Sequence, residues 1–288
     1  MSIIKKVIIP VAGAGTRFLP ATKAQPKEML PIIDKPVVQY IVEEAVASGI
    51  EDIILVTGAS KRSIEDHFDY NHALQHLLKE QGKEKQRQEI KDIANMANFI
   101  YVSQKGPYGN GTPVLNCRHI INNEPFAVMW GDDLFVGKEK PRLAQLIEIY
   151  EKYQHPVLSC INVDDEGTKK YGIIDGEEID EETIKLRDII EKPGPDKAPS
   201  RHAAVGAYIL TPDIFNELEQ TQIGKDNELW LVDAIRSLAE KRPIYARKIE
   251  GKFYDTGSKA GWLKANIDIA LTRDDLKEEM REYLKKIQ

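Results

Sequence analysis

Cysteine is scarce in this chain of 288 residues. Cys117 and Cys160 stand far apart, without CxxC spacing or a histidine pattern beside them. That excludes a zinc site and a disulfide framework and predicts two buried thiols. Long apolar runs are also missing. The N-terminal segment 1–10 has only Val7, Ile8 and Ile9 in sequence, too short for a signal peptide or a membrane span, so a cytoplasmic protein without a membrane partner is expected. No basic half balances an acidic one: the net charge is -6 and the pI about 5.7, which argues against a nucleic-acid surface. Internal repeats and low-complexity linkers are absent as well.

What is present is an alternation of short β-branched runs with helical periodicity. Residues 7–9 and 53–57 read as strands covered on both faces, and between them residues 36–48 carry Val38, Ile41, Val42, Ala45 and Val46 on one helical face, with Pro36 at the start and Gly49 at the stop. Further strands are expected at 99–103, 126–130, 157–163, 172–175, 203–210 and 244–249. Helices are expected at 141–153, 212–218, 229–240 and 259–271. The pattern predicts one α/β domain over residues 1–288 with a sheet that contains antiparallel strands. Two segments read as additions: a charge-rich helical insertion around 60–98 and a C-terminal extension around 273–288, with Leu276, Met280, Leu284 and Ile287 at helical spacing.

The chemistry concentrates after the first strand, in VAGAGTRFLPATKAQPKEMLP, residues 11–31. Gly13 and Gly15 would begin a dinucleotide fingerprint, but Phe18 stands where its third glycine belongs, and no GxxxxGK order forms a Walker A loop. The loop instead offers bare backbone able to approach a phosphate, two cations in Arg17 and Lys27, and the stiffening prolines Pro20, Pro26 and Pro31. Two acidic turns follow later, Asp132–Asp133 in MWGDDL and Asp255 in FYDTGS, each after an apolar run. His72 and His76 share a helical face but lack the glutamate of an HExxH site, so no metal is assigned there.

The pattern GxGTRxxPxTxxxPKxxxP is filled by Gly13, Gly15, Thr16, Arg17, Pro20, Thr22, Pro26, Lys27 and Pro31. It resembles the signature of the sugar-nucleotide pyrophosphorylases, and within them the bacterial UTP-glucose-1-phosphate uridylyltransferases. The likeness continues through SKRSIEDHFD, GDD, YG, EKP, VGAYILTPDIF and YDTGSKAGWLKAN, over nearly the whole chain. The resemblance implies a Rossmann-like α/β/α sandwich around a mixed sheet, a homodimer, and Mg²⁺-dependent transfer of UMP from UTP to glucose 1-phosphate. Arg17, Lys27 and Lys192 would be catalytic. Ala12, Gly13, Gly15, Thr16, Gln104 and Gly109 would bind the nucleotide, while Asp133, Gly172, Glu191, Lys192 and Gly206 would bind the sugar phosphate. Asp132 and Asp255 would hold the metal, whose hard charge suits carboxylate oxygens.

Two stretches depart from the family pattern. Its GLGHAV stands here as residues 109–114, GNGTPV, and its GEIQLTDA as residues 227–234, NELWLVDA. Trp230 in place of an amide is expected to narrow or reshape the sugar pocket. Rival readings keep the chemistry with dTTP, CTP or another hexose 1-phosphate, or drop turnover and leave a sugar-nucleotide-binding regulator.

Overall fold

The computed structural model describes residues 4–137, 139–224 and 227–287; the ends of the expected domain, residues 1–3 and 288, lie outside them. Among the described residues thirteen strands are formed: β1 (Lys6–Pro10), β2 (Pro31–Ile32), β3 (Lys35–Pro36), β4 (Asp52–Thr57), β5 (Asn98–Ser103), β6 (Phe126–Met129), β7 (Asp133–Gly137), β8 (Val157–Asn162), β9 (Gly172–Glu178), β10 (Thr183–Glu191), β11 (His202–Leu210), β12 (Tyr245–Lys248) and β13 (Gly251–Asp255). Nine build one mixed sheet in the order β5-β4-β1-β6-β11-β8-β12-β10-β9. β5, β4, β1 and β6 run parallel, and β11 turns the sheet antiparallel against β6 and β8.

Alternation within the central strands explains the layers. Ile8, Ile54 and Val128 join one apolar cluster with residues of the helices Gly111–Asn116, Ile214–Gln220 and Leu231–Ala239. Val7, Ile9, Ile53, Leu55 and Met129 face the other way, onto the helices Val37–Ala47, Arg62–Phe68 and Arg142–Tyr153. Successive side chains leave a strand on opposite faces, so an unbroken apolar run requires cover on both. The result is an α/β/α sandwich, as expected. Cys117 and Cys160 lie within the first cluster, and burial pushes each thiol up to about 12.

The four parallel strands all end on the same side of the sheet. The loops after β1, β5 and β6 therefore meet there, at the carboxyl ends where α/β sheets bind ligands. A separate antiparallel pair, β7 with β13, sets Asp133 opposite Asp255. Between β4 and β5 the chain forms the helices Arg62–Phe68, His72–Glu80 and Glu84–Asn95, the last two without a buried residue. The C-terminal helix Lys277–Ile287 likewise buries none of its residues.

Candidate active site

The loop after β1 is folded around its own cations. Gly15 adopts φ 66°, and a methyl group there would lie 3.3 Å from Lys27 Cβ and Thr22 Cβ, so a bare backbone is needed for the turn. Thr22 Oγ1 donates to Gly15 O at 2.7 Å and fastens the turn. Lys27 Nζ reaches Asp132 Oδ2 at 2.5 Å. Burial pulls the Lys27 ammonium down, but Asp132, Glu28 and Asp133 outweigh it and hold its pKa above the ordinary lysine value. Lys27 is thus a fixed positive charge at any physiological pH.

Beneath the loop lies a buried ion pair. Lys61, just past β4, donates to Glu28 Oε2 at 2.9 Å and to Gly13 O at 2.6 Å. Burial raises the Glu28 carboxyl, and Lys27 and Lys61 pull it back part of the way. One ammonium therefore fixes both the glycine backbone and the segment carrying Lys27.

Three acids converge on the other side. Thr256 N and Oγ1 both donate to Asp132 O, at 3.0 and 2.6 Å, joining the turn after β6 to the turn after β13. A methyl group on Gly257 would lie 3.1 Å from Asp255 Oδ1 and 3.4 Å from an Arg17 guanidinium nitrogen and would collide with Asp132 Oδ2. Both carboxylates and the guanidinium thus gather over a bare Cα. Asp133 is pushed up to about 8, chiefly by burial and the Asp132 charge. Burial and Asp132 also raise Asp255, against the pull of Arg17 and Lys27. The cluster offers hard oxygen donors whose ionised form burial opposes. It fits a Mg²⁺ ion, which takes one or two carboxylates and completes its shell with water and phosphate. No group of three or more His, Cys, Asp or Glu side chains suited to a metal occurs among the described residues.

Two clefts flank these acids. One, of about 650 Å³, is lined by Ala12, Gly13, Lys27, Gln104 and Gly109. The other, of about 630 Å³, is lined by Arg17, Asp133, Gly172, Glu191, Lys192, Gly206 and Asp255. Asn110, Trp130 and Asp132 line both and form their common wall. Gly15 and Thr16 line neither; Gly15 shapes the turn, and Thr16 opens the short helix Thr16–Phe18.

The second cleft owes its shape to irregular backbone. β11 carries a bulge between Ala204 and Tyr208 in its pairing with β8, where Ser159 Oγ donates to Val205 O and accepts from Ala207 N. Within the bulge, Gly206 adopts φ 70° with its Cα against the fully buried Arg142, leaving no room for a methyl group. A methyl on Gly172 would come within 3.3 Å of Glu191 Oε2. Lys192 sits at φ 46°, a conformation non-glycine residues seldom adopt, with its N donating to Tyr171 O at 3.2 Å.

Sequence reasoning missed Lys61, Glu28, Asn110, Trp130 and Arg142. SKR and PKE contain the first two, but nothing in either stretch signals that their charges are buried together. Arg142 carries no signal at all, because its partner Glu44 lies on another helix, 3.0 Å from its guanidinium.

Known proteins are similar to this chain in sequence and in fold. The nucleotidyl transferase family model matches residues 6–271. The UTP-glucose-1-phosphate uridylyltransferase YngB of Bacillus subtilis is 48% identical over 284 residues, covering 99% of this chain and 95% of that protein. The UTP-bound UGPase of Acinetobacter baumannii superposes with a TM-score of 0.92 at 37% identity, covering 99% of this chain and 100% of that one. A UDP-glucose pyrophosphorylase complexed with UDP-glucose gives a TM-score of 0.86 at 44% identity, over 94% of this chain and 100% of that one. The chain belongs to the nucleotidyl transferase family, among the UTP-glucose-1-phosphate uridylyltransferases.

Proposed function

We propose that the chain transfers the uridylyl group of UTP to glucose 1-phosphate, giving UDP-glucose and pyrophosphate. The observation that carries this reading is the pair of clefts meeting at Asp132, with Lys27 and Arg17 beside the junction. A phosphate oxygen of the sugar phosphate forms the new bond to the α-phosphorus. The bond from that phosphorus to the oxygen bridging to the β-phosphate breaks, and pyrophosphate leaves with the electron pair. The attacking oxygen is already ionised, so no general base is needed, and catalysis rests on positioning and charge stabilisation.

In this reading Gln104, Gly109 and the backbone of Ala12 and Gly13 hold the uracil, and Arg17 and Lys27 face the triphosphate. Glu191 accepts from sugar hydroxyls and Lys192 holds the sugar phosphate, with Gly172 and Gly206 letting the backbone come close. Mg²⁺ held by Asp132 and Asp255 would neutralise phosphate charge and orient the reacting groups. The UTP-bound and UDP-glucose-bound relatives support the choice of ligands. The same reading extends to a cytoplasmic homodimer supplying UDP-glucose for envelope polysaccharide or glycolipid. No described helix is long and apolar enough to cross a membrane.

The test is pyrophosphate release from UTP with a panel of sugar 1-phosphates, with and without Mg²⁺ and chelator. Metal-dependent release with glucose 1-phosphate is expected. Release with another sugar alone would overturn the substrate, and UTP binding without release would overturn the enzyme reading.

A further inference from the structure

The segment in front of the helix Leu231–Ala239 is clamped to the rim of the first cleft. Leu229 N donates to Tyr108 O at 2.7 Å, Gly111 N to Leu229 O at 2.9 Å, and Leu231 N to the side-chain Oδ1 of Asn110 at 2.8 Å. Trp230 is the residue held between these bonds. Its indole edge rests on Gly224, where an added methyl would come within 3.3 Å of Cδ1. Its face lies under Lys192, with Nζ 4.8 Å from the ring centroid. Trp230 lines the second cleft and not the first.

Lys192 is half-exposed on a flexible stem, and its only ion-pair partner among the described residues is Glu191, 3.1 Å away. A carboxylate alone would draw the ammonium onto itself, cancelling part of its charge and occupying an acceptor. An aromatic face attracts the same cation through its quadrupole, without occupying a carboxylate oxygen and with the N–H donors on the far side left free for an anion. We propose that Trp230 is a positioning residue for Lys192, and that the Asn110 side chain fixes Trp230, so that the wall shared by the clefts sets the cation on the sugar-phosphate side. The proposal rests on the second cleft being the sugar 1-phosphate site.

The experiment is steady-state kinetics on the full-length chain, varying UTP and glucose 1-phosphate separately, for Trp230→Leu, Trp230→Phe, Asn110→Ala, the Asn110→Ala/Trp230→Leu double variant and Lys192→Met. Trp230→Leu keeps apolar bulk but loses the π face, and is expected to raise KM for glucose 1-phosphate roughly three- to thirtyfold, the range of one cation–π contact. Its KM for UTP stays unchanged, and Trp230→Phe recovers most of the loss. Asn110→Ala shifts the sugar-phosphate KM in the same direction, and the double variant is no worse than Trp230→Leu alone.

Equal damage from Leu and Phe would show packing alone and overturn the proposal, as would an equal rise in both KM values or wild-type behaviour of Trp230→Leu. If Trp230→Leu fails to fold, Trp230→Phe and Asn110→Ala carry the prediction. Lys192→Met distinguishes the two levels. If it leaves the sugar-phosphate KM unchanged, the reading of the cleft fails. If it raises that KM while Trp230→Leu does not, only the positioning role fails.

Discussion

At the scale of single residues, two lysines around the loop after β1 do different work. Lys27 reaches Asp132 from the cleft, and its raised pKa keeps it charged. Lys27→Ala is expected to lower kcat at least about 10²-fold, the effect of losing one preorganised charge contact, with the circular dichroism spectrum unchanged. Near-normal turnover would remove Lys27 from the chemistry. Lys61 is buried under the loop against Glu28. Lys61→Met strands that carboxylate and should cost about 3–5 kcal/mol in urea unfolding at neutral pH, and Glu28→Gln in the same chain should restore part of it. The pH dependence has a definite sign. The folded-state pKa of Glu28 already lies above the usual 4.5, so the stability it contributes is full below that value and is lost as pH rises through the folded pKa. Removing Lys61 raises that pKa further. The deficit of Lys61→Met should therefore be small near pH 4.5 and grow toward pH 8; a deficit independent of pH would contradict the pairing.

At the scale of elements, regular structure was legible and irregular structure was not. The β-branched runs of β1 and β4 and the apolar face of Val37–Ala47 stand in the sequence because burial on a periodic element writes its period into the residues. β10 shows the limit. It opens with the alternation of Ile184, Lys185, Leu186 and Arg187, then a bulge between Leu186 and Asp188 breaks the period. The strand expected at 172–175 likewise continues as far as Glu178, an extension the sequence did not signal because Glu177 and Glu178 are polar and exposed. Motifs located most of the candidate site: GAGTR, PKE, GDD, EKP and DTG all reach the clefts. What escaped is whatever depends on a partner distant in sequence, such as Ser159 beneath the β11 bulge. Ser159→Ala leaves Val205 O and Ala207 N unpaired in the core and should cost about 1–3 kcal/mol. Because the bulge displays Gly206 to the second cleft, KM for the sugar phosphate should rise while that for UTP holds. A change in both would mean general loosening of the sheet.

At the scale of the whole molecule, the sheet brings together groups that repel one another. β6 delivers Asp132, and the β7–β13 pair delivers Asp133 and Asp255, whose carboxyls burial and the Asp132 charge hold raised against the pull of Arg142, Arg17 and Lys27. Binding a cation and phosphates requires such unsatisfied charge, and folding must tolerate it in their absence. Asp255→Asn keeps the shape and removes one negative charge. Without divalent metal it should melt a few degrees higher than the parent chain while losing Mg²⁺-dependent turnover. Adding Mg²⁺ with UTP should raise the parent's Tm and narrow or reverse that gap, because ligand stabilises only the state that binds it. A lower Tm for Asp255→Asn without metal would mean that Arg17 and Lys27 already neutralise the acids, and that Asp255 is held as a structural ion-pair partner instead of a waiting ligand.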